Sequence, residues 1–376
     1  MTRFLLVAAA AVAACGLAPA ASAAGPPSAH ARAWVVENPE TGEILARHDD
    51  RYRTPIASIT KLMTVIVALE HLKLGQTVHV DPRAASVGQE SIYLRAGQSM
   101  TVADLVEGAM IQSANDAADA LALAAAPSFP AFAALMNAKA KELGLTDSHF
   151  VRPDGLDAPG EYSSARDVTR LALAAMKLPA VRNAVRRKTA TIAGDRRLHS
   201  WNDLLGVFPG VFGVKTGHTD GARWGQVVAA RGGGTTIYVT ILGSPSRTQR
   251  NHDLERLLAY GLAQYRQVDA VSTGRSYASV ALPYGRNPLH LVAREPLHAV
   301  VRVGVPLTER VVAPSTLTLP VRRGQVLGHV QVWDHGRLLG GRPLVASRSV
   351  ARPGFVSRVG WYARRTVHHV ADLLTP

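Results

Sequence analysis

Apolar and polar positions change rhythm several times along the chain. Ala33-Trp-Val-Val is followed by the turn-rich Asn38-Pro-Glu-Thr-Gly42 and then by Glu43 to Arg47, predicting a strand, a turn and a second strand. From Ser58 to Leu72 the spacing becomes helical, with Leu62, Ile66 and Leu69 on one stripe and no Gly or Pro inside. Thr101-x-x-Asp104 opens a second helix to about Ile111, Asp116 is placed to cap a third through Leu123, and Ser164 to Lys177 reads as a fourth. Strand texture returns at Val211 to Lys215, Gln226 to Ala230 and Thr236 to Leu242, the last two joined by Gly232-Gly-Gly234. A helix from about Asp253 to Tyr265 follows. Strands at both ends with helices between predict an α+β domain.

Beyond Val268 the pattern breaks into short runs interrupted by Gly and Pro: Val300 to Val305, Ser315 to Val321 and Gln325 to Val332. This predicts a small all-β domain, 268–350, with no catalytic cluster and the part of a stalk. The final segment, 355–376, sets Val356, Ala363, Val367, Val370 and Leu374 along one helical face opposite Arg358, Arg365, His368 and Asp372. A basic amphipathic helix with aromatics such as Trp361 is expected to lie in an anionic membrane surface; the plain alternative is a packed terminal helix. His368-His369 belongs to its polar side.

At the other end, Arg3 precedes an apolar run from Phe4 to Leu17 and the small-residue pattern Ala21-Ser22-Ala23. Residues 1–23 therefore read as a secretory signal peptide, with a permanent anchor or lipidation at Val12-Ala-Ala-Cys15 as alternatives. Cys15 is the only cysteine, so cleavage after Ala23 leaves no disulfide, thiolate nucleophile or Cys-metal site. Export places the protein on the outer face of a bacterial cytoplasmic membrane and excludes nucleic acid as the partner of a chain whose 42 Lys and Arg outnumber 28 Asp and Glu. That balance suits anionic polymers or lipid headgroups.

Three short motifs carry chemistry. Ser58-Ile-Thr-Lys61 opens the first helix, where positions i and i+3 share a face and the Lys61 ammonium reaches the Ser58 hydroxyl. A serine at a helix start also meets a field that favours the negative charge it develops in attack. Alone, such a motif arises by chance about once in a chain this long. Ser113-Ala-Asn115 falls between two predicted helices, and Lys215-Thr-Gly217 ends a strand, with Gly217 and Gly221 leaving room for a substrate backbone. The three together, in this order, are the signature shared by β-lactamases and penicillin-binding proteins.

Longer phrases extend the match: Pro55-Ile-Ala-Ser58-Ile-Thr-Lys61-Leu-Met-Thr64, Gln112-Ser-Ala-Asn115-Asp116-Ala, Tyr162-Ser-Ser-Ala-Arg166-Asp167 and Val214-Lys-Thr-Gly-His-Thr-Asp220. Over nearly its whole length the chain resembles the low-molecular-weight penicillin-binding proteins, the serine-type D-alanyl-D-alanine carboxypeptidases of peptidase family S11. The resemblance implies a β-lactamase/transpeptidase-like domain, 24–267, an antiparallel sheet with a helical cluster, followed by the β-rich domain and the amphipathic helix.

What the resemblance implies for the site follows residue by residue. Ser58 attacks the penultimate D-alanine carbonyl of a peptidoglycan stem peptide, with Lys61 as base, its proton affinity lowered by a second cation, Lys215. Ser113 passes a proton to the leaving amine and Asn115 orients Lys61 and the substrate amide. Lys215 and Thr216 hold the terminal carboxylate. The backbone N–H groups of Ser58 and His218 form the oxyanion hole, and the strand at Lys215 to Thr219 takes the substrate as an added strand. Arg247 is a candidate second carboxylate clamp, with a solvated arginine as the plain reading. No cofactor or metal is implied, and β-lactams are the expected inhibitors. The alternatives are a D,D-endopeptidase, a β-lactamase, for which Glu161 is the available glutamate, and a silent wall-binding protein. The stretch Arg196 to Pro209 matches the pattern least clearly.

Overall fold

Five antiparallel strands form the central sheet of a computed structural model that describes residues 25–363. The leader, Cys15 and positions 364–376 of the predicted terminal helix lie outside the described residues. The strands run in the order Glu43–His48, Ala33–Asn38, Thr235–Ser244, Arg223–Gly232, Val211–Thr219. Each chain-adjacent pair is joined by a short turn, and Ala33–Asn38 closes the two groups by pairing with Thr235–Ser244. The strand that carries Lys215 ends the row, so one of its edges has no strand partner in the sheet.

The helix Lys61–His71 is buried from Lys61 to Ala68, so its sequence, apolar nearly all round, belongs to a core helix and not to a surface one. Burial of Leu62, Met63, Val65 and Ile66 contributes about 1.5–3 kcal/mol each before entropy is counted. The alanine-rich helix Asn115–Ala125 packs against it, its buried Ala117, Ala118 and Ala122 presenting little bulk. This is the α+β unit expected, ending at Gln264.

Several elements differ from expectation. The first helix begins as a tight turn, Ala57–Thr60, before the α-helix proper. Asp116 is not the N-cap: its helix starts at Asn115. Its carboxylate, besides accepting the first-turn Ala117 N–H, accepts from the Ile92 and Leu94 N–H groups and the Ser91 hydroxyl, pinning the loop before the second motif. The helix expected from Asp253 starts at Arg247, because the Ser246 hydroxyl accepts the Gln249 N–H. Helices Phe129–Glu142 and Pro179–Val185 were hidden by weak periodicity and by prolines that sit harmlessly in their first turns.

The second unit begins at Tyr265, and its main sheet runs Ser276–Val280, Leu289–Ala293, Arg337–Ala346, Val326–Asp334, Thr308–Val312. Leu289, Leu291, Val330, Val332 and Leu344 form its core. Ser315 to Val321 makes only isolated bridges, through Thr316 and Val321, in place of the strand its alternation suggested. Residues 355–363 are helical, but Trp361 is not turned outward: its ring meets Tyr284 edge-on at 5.6 Å. Phe355, Val356 and Val359 are exposed, as is Tyr362.

Candidate active site

Ser58 sits in the Ala57–Thr60 turn, which a neighbouring loop holds from behind. Gly155 has φ +77°, and a Cβ there would stand 2.2 Å from the Ala57 carbonyl oxygen, so only glycine lets the 153–155 loop press this close. The Thr64 hydroxyl donates to the Pro153 carbonyl at 2.5 Å and Lys61 Nζ to the Asp154 carbonyl at 2.6 Å. On the other side, a Cβ on Gly217 would meet the Ile56 carbonyl oxygen at 2.5 Å, so the edge strand also lies directly against the turn. The serine is thus wedged between a loop and a strand, each admitted by a glycine.

Lys61 is completely buried, and its Nζ touches three oxygens: Ser58 Oγ at 2.7 Å, Asn115 Oδ1 at 2.7 Å and the Asp154 carbonyl. Burial lowers its pKa from 10.5 to about 8, against the opposing pull of Asp154, Asp119 and Glu161. When Lys61 is neutral it has two N–H bonds and one lone pair. The amide oxygen and the carbonyl can only accept, so they take both N–H groups and the lone pair is left facing the Ser58 hydroxyl. The three contacts therefore orient the amine as a base toward Ser58. Asn115 is itself fixed through Nδ2, which donates to the Gly88 carbonyl at 3.0 Å.

Ser113 ends the π-helical turn Gly108–Gln112 in a left-handed conformation, φ +65°, and its Oγ accepts from Lys215 Nζ at 2.8 Å. Lys215 also donates to the Thr216 carbonyl at 3.0 Å. Burial pushes its pKa well below the usual lysine range, and the Lys61 charge pushes it further. Burial is the main cause at both lysines, and the repulsion between the two ammonium groups, which is mutual, adds to it.

Ser58, Ser113, Thr216, Gly217 and His218 line a cleft of about 290 Å³. Of its other walls, Arg247 was a candidate from the sequence, whereas Trp201, Trp224 and Arg250 were not. Arg247 and Arg250 both grip Asp203, Arg250 at 2.9 Å, while Arg247 lies 5.3 Å from the Trp201 ring centre and Arg250 5.7 Å from that of Trp224. The His218 ring stacks on Trp224 at 4.0 Å. Arg247 thus lines the cleft while remaining partly exposed. Trp201 and Asp203 come from the stretch that matched the family least clearly, and only three-dimensional proximity brings them to the arginines. Gly221, expected to make room for substrate, instead lies against Asp157, whose carboxylate accepts from the Gly221 N–H and the Thr219 hydroxyl.

Glu161 is engaged elsewhere: it accepts from the Thr60 hydroxyl at 2.8 Å and from the Val151 and Arg152 N–H groups, and burial raises its pKa from 4.5 to about 7. Asp119, behind Lys61, is raised to about 8 by burial and by Asp154.

A serine at a helix start, a dry lysine aimed at it, and a cationic cleft beside an unpartnered sheet edge define a serine acyl-transfer enzyme of the penicillin-recognising class. The chain belongs to the D-alanyl-D-alanine carboxypeptidase family, peptidase S11, whose family model matches residues 20–246; the penicillin-binding protein 5 C-terminal domain matches residues 265–352. Among curated relatives, D-alanyl-D-alanine carboxypeptidase DacC of Escherichia coli is 30% identical over 91% of this chain and 90% of its own. DacF of Bacillus subtilis is 28% identical over 87% of each. The crystal structure of penicillin-binding protein 5 from Haemophilus influenzae aligns with TM-score 0.63 and 26% identity, covering 87% of this chain and 99% of that one.

Proposed function

We propose that the chain removes the terminal D-alanine from peptidoglycan stem peptides as a serine-type D-Ala-D-Ala carboxypeptidase that β-lactams inhibit. The observation that carries this reading is the 2.7 Å contact between a fully buried Lys61 and Ser58. Ser58 Oγ attacks the penultimate D-alanine carbonyl while its proton passes to Lys61 Nζ. The backbone N–H groups of Ser58 and His218 receive the oxyanion. As the carbon–nitrogen bond breaks, the departing D-alanine amine takes a proton from the Ser113 hydroxyl. Lys215 re-protonates the Ser113 oxygen and the proton held on Lys61 makes good that loss across the cleft, so the three groups are reset. Water then attacks the ester, giving a proton to neutral Lys61, which hands it to Ser58 Oγ as the acyl bond breaks.

Lys215 and Thr216 hold the substrate's carboxylate. Arg247 adds to them from the rim, since Asp203 takes donors from its Nε and one terminal nitrogen and leaves the other nitrogen for a ligand. The open edge at Lys215 to Thr219 pairs with the extended peptide backbone. Residues 1–23 direct export, and the segment 355–376 holds the processed chain at the outer surface of the cytoplasmic membrane. The exposed Phe355, Val356 and Val359 support that last assignment.

The test compares wild type with Ser58→Ala, using a fluorescent penicillin, a pentapeptide ending in D-Ala-D-Ala and a cross-linked peptide dimer. Labelling and D-alanine release should both vanish in the variant. Rapid drug hydrolysis without D-alanine release would make it a β-lactamase, cleavage of a cross-linked dimer alone would make it an endopeptidase, and silence toward all of them would leave only a binding protein.

A further inference from the structure

The positive charge of the chain is unevenly placed. Residues 25–264 contain 26 Lys and Arg against 23 Asp and Glu, nearly balanced. Residues 265–363 contain 13 Arg, no Lys, and 4 Asp and Glu. All four of those acids are engaged: Glu309 by Arg275, Glu295 by Arg342, Asp269 by His298 and Asp334 by His335.

Five of the arginines are gathered on three segments held together by hydrogen bonds. Arg323 N–H donates to Ser349 Oγ at 2.9 Å, the Arg348 guanidinium to the Asn287 carbonyl at 3.0 Å and the Arg286 guanidinium to the Ala351 carbonyl at 2.9 Å. Val321 pairs with Val350 beside them. Arg286, Arg322, Arg323, Arg348 and Arg352 are all exposed. Among the described residues none of the five makes a salt bridge. The Arg286 and Arg348 guanidiniums donate to backbone carbonyls, which leave the charge unneutralised.

This cluster leads straight into the helix 355–363. That helix rests on the unit through Trp361, against Tyr284 and close to Gly285, next to Arg286. Its large exposed side chains are Phe355, Val356, Val359 and Tyr362. Guanidiniums suit phosphate oxygens, which they can grip in pairs, and large exposed apolar groups suit acyl chains. A soluble polyanion would satisfy the first and leave the second in water.

We propose that Arg286, Arg322, Arg323, Arg348 and Arg352 form a phosphate-binding face that seats the second unit on an anionic lipid bilayer, together with the apolar side chains that follow. The face is a second attachment element, separate from the distal part of the terminal segment. It rests on the export reading above. Two weak elements acting together give lasting attachment where one alone exchanges rapidly.

The test uses protein recovered from the exported fraction of an expression host and sedimentation with vesicles of phosphatidylcholine, with and without phosphatidylglycerol. Three forms are compared: wild type, the five-fold Arg→Gln variant, and the five-fold Arg→Lys variant. Binding of wild type should need phosphatidylglycerol and weaken with salt. The Gln variant should lose at least ~100-fold in partition, given a several-fold loss for each surface charge removed, while the Lys variant keeps most of it. An unchanged thermal unfolding profile and far-UV circular dichroism in all three forms would show that the second unit folds, and unchanged D-alanine release that the first does. Equal binding of wild type and the Gln variant would overturn the face while leaving the terminal segment's role intact. Binding to soluble polyphosphate but not to vesicles would overturn it in favour of a polymer ligand, and no binding by any form would overturn both it and the membrane reading.

Discussion

The three oxygens around Lys61 Nζ make its basicity adjustable by a single atom exchange. Asn115→Asp keeps the side chain's shape and places a carboxylate 2.7 Å from the amine. In wild type, a pKa lowered from 10.5 to about 8 makes the neutral amine ~300-fold more abundant at neutral pH than in a free lysine. That corresponds to ~3.4 kcal/mol. The Coulomb energy of the new pair has an upper bound of ~6 kcal/mol at an effective dielectric of about 20. Desolvation of the new carboxylate takes back part of it. A net ~2–3 kcal/mol in favour of the ammonium lowers the neutral fraction, and with it acylation at neutral pH, about 100-fold. The assay is the second-order acylation rate with a fluorescent penicillin, followed across pH. The base must be neutral, so the wild-type rate should climb tenfold per pH unit below about 8 and level off above it. The Asp variant should show the same climb displaced to higher pH, with much of the loss recovered in alkali. A wild-type rate that is flat through this range, or a variant equally slow at every pH, would refute the assignment of Lys61 as the base.

Two further outcomes follow from the walls of the site. Glu161 has a folded-state pKa raised from 4.5 to about 7, so the folded protein holds a proton there that the unfolded chain has released. Its contribution to stability is present below about pH 4.5 and lost as pH rises through about 7, by up to ~3 kcal/mol, and in Glu161→Gln this slope should disappear from urea unfolding measured across that window. Gly155→Ala and Gly42→Ala both force alanine to a φ near +70°, but only the first meets a carbonyl oxygen, at 2.2 Å. Unfolding should show a loss of about 1 kcal/mol for Gly42→Ala and at least ~3 kcal/mol for Gly155→Ala, with slowed penicillin acylation only in the latter. Equal losses would mean that the loop behind Ser58 yields freely.

What the sequence revealed was mainly local. Ser58 and Lys61 are one helical turn apart, so their meeting follows from helix geometry alone, and the sheet and core helix follow from unbroken apolar runs. The partners that finish the site are remote in the chain: the Asp154 carbonyl lies 93 residues from Lys61, and Asp203 lies 44 residues from Arg247. No periodicity announces such contacts. Asp116 shows a different failure. Its place before an apolar run looks like a cap, yet the helix already starts at Asn115 and the carboxylate serves a loop some two dozen positions upstream. Ser315 to Val321 has strand-like composition but only isolated bridges, because alternation alone cannot supply a neighbouring edge.

The two buried lysines also set a limit on what the cleft can hold. Each is penalised for carrying charge in a dry place, and an ammonium at Lys61 makes an ammonium at Lys215 harder to keep. When the attacking hydroxyl surrenders its hydrogen to the first, the second is pressed to give one up, and the oxygen it touches is Ser113, on the leaving-group side. Electrostatic crowding thus couples the arrival of one hydrogen ion to the departure of another. The turnover can begin and end with the same total charge in the cleft, without waiting for the solvent to exchange protons with its floor.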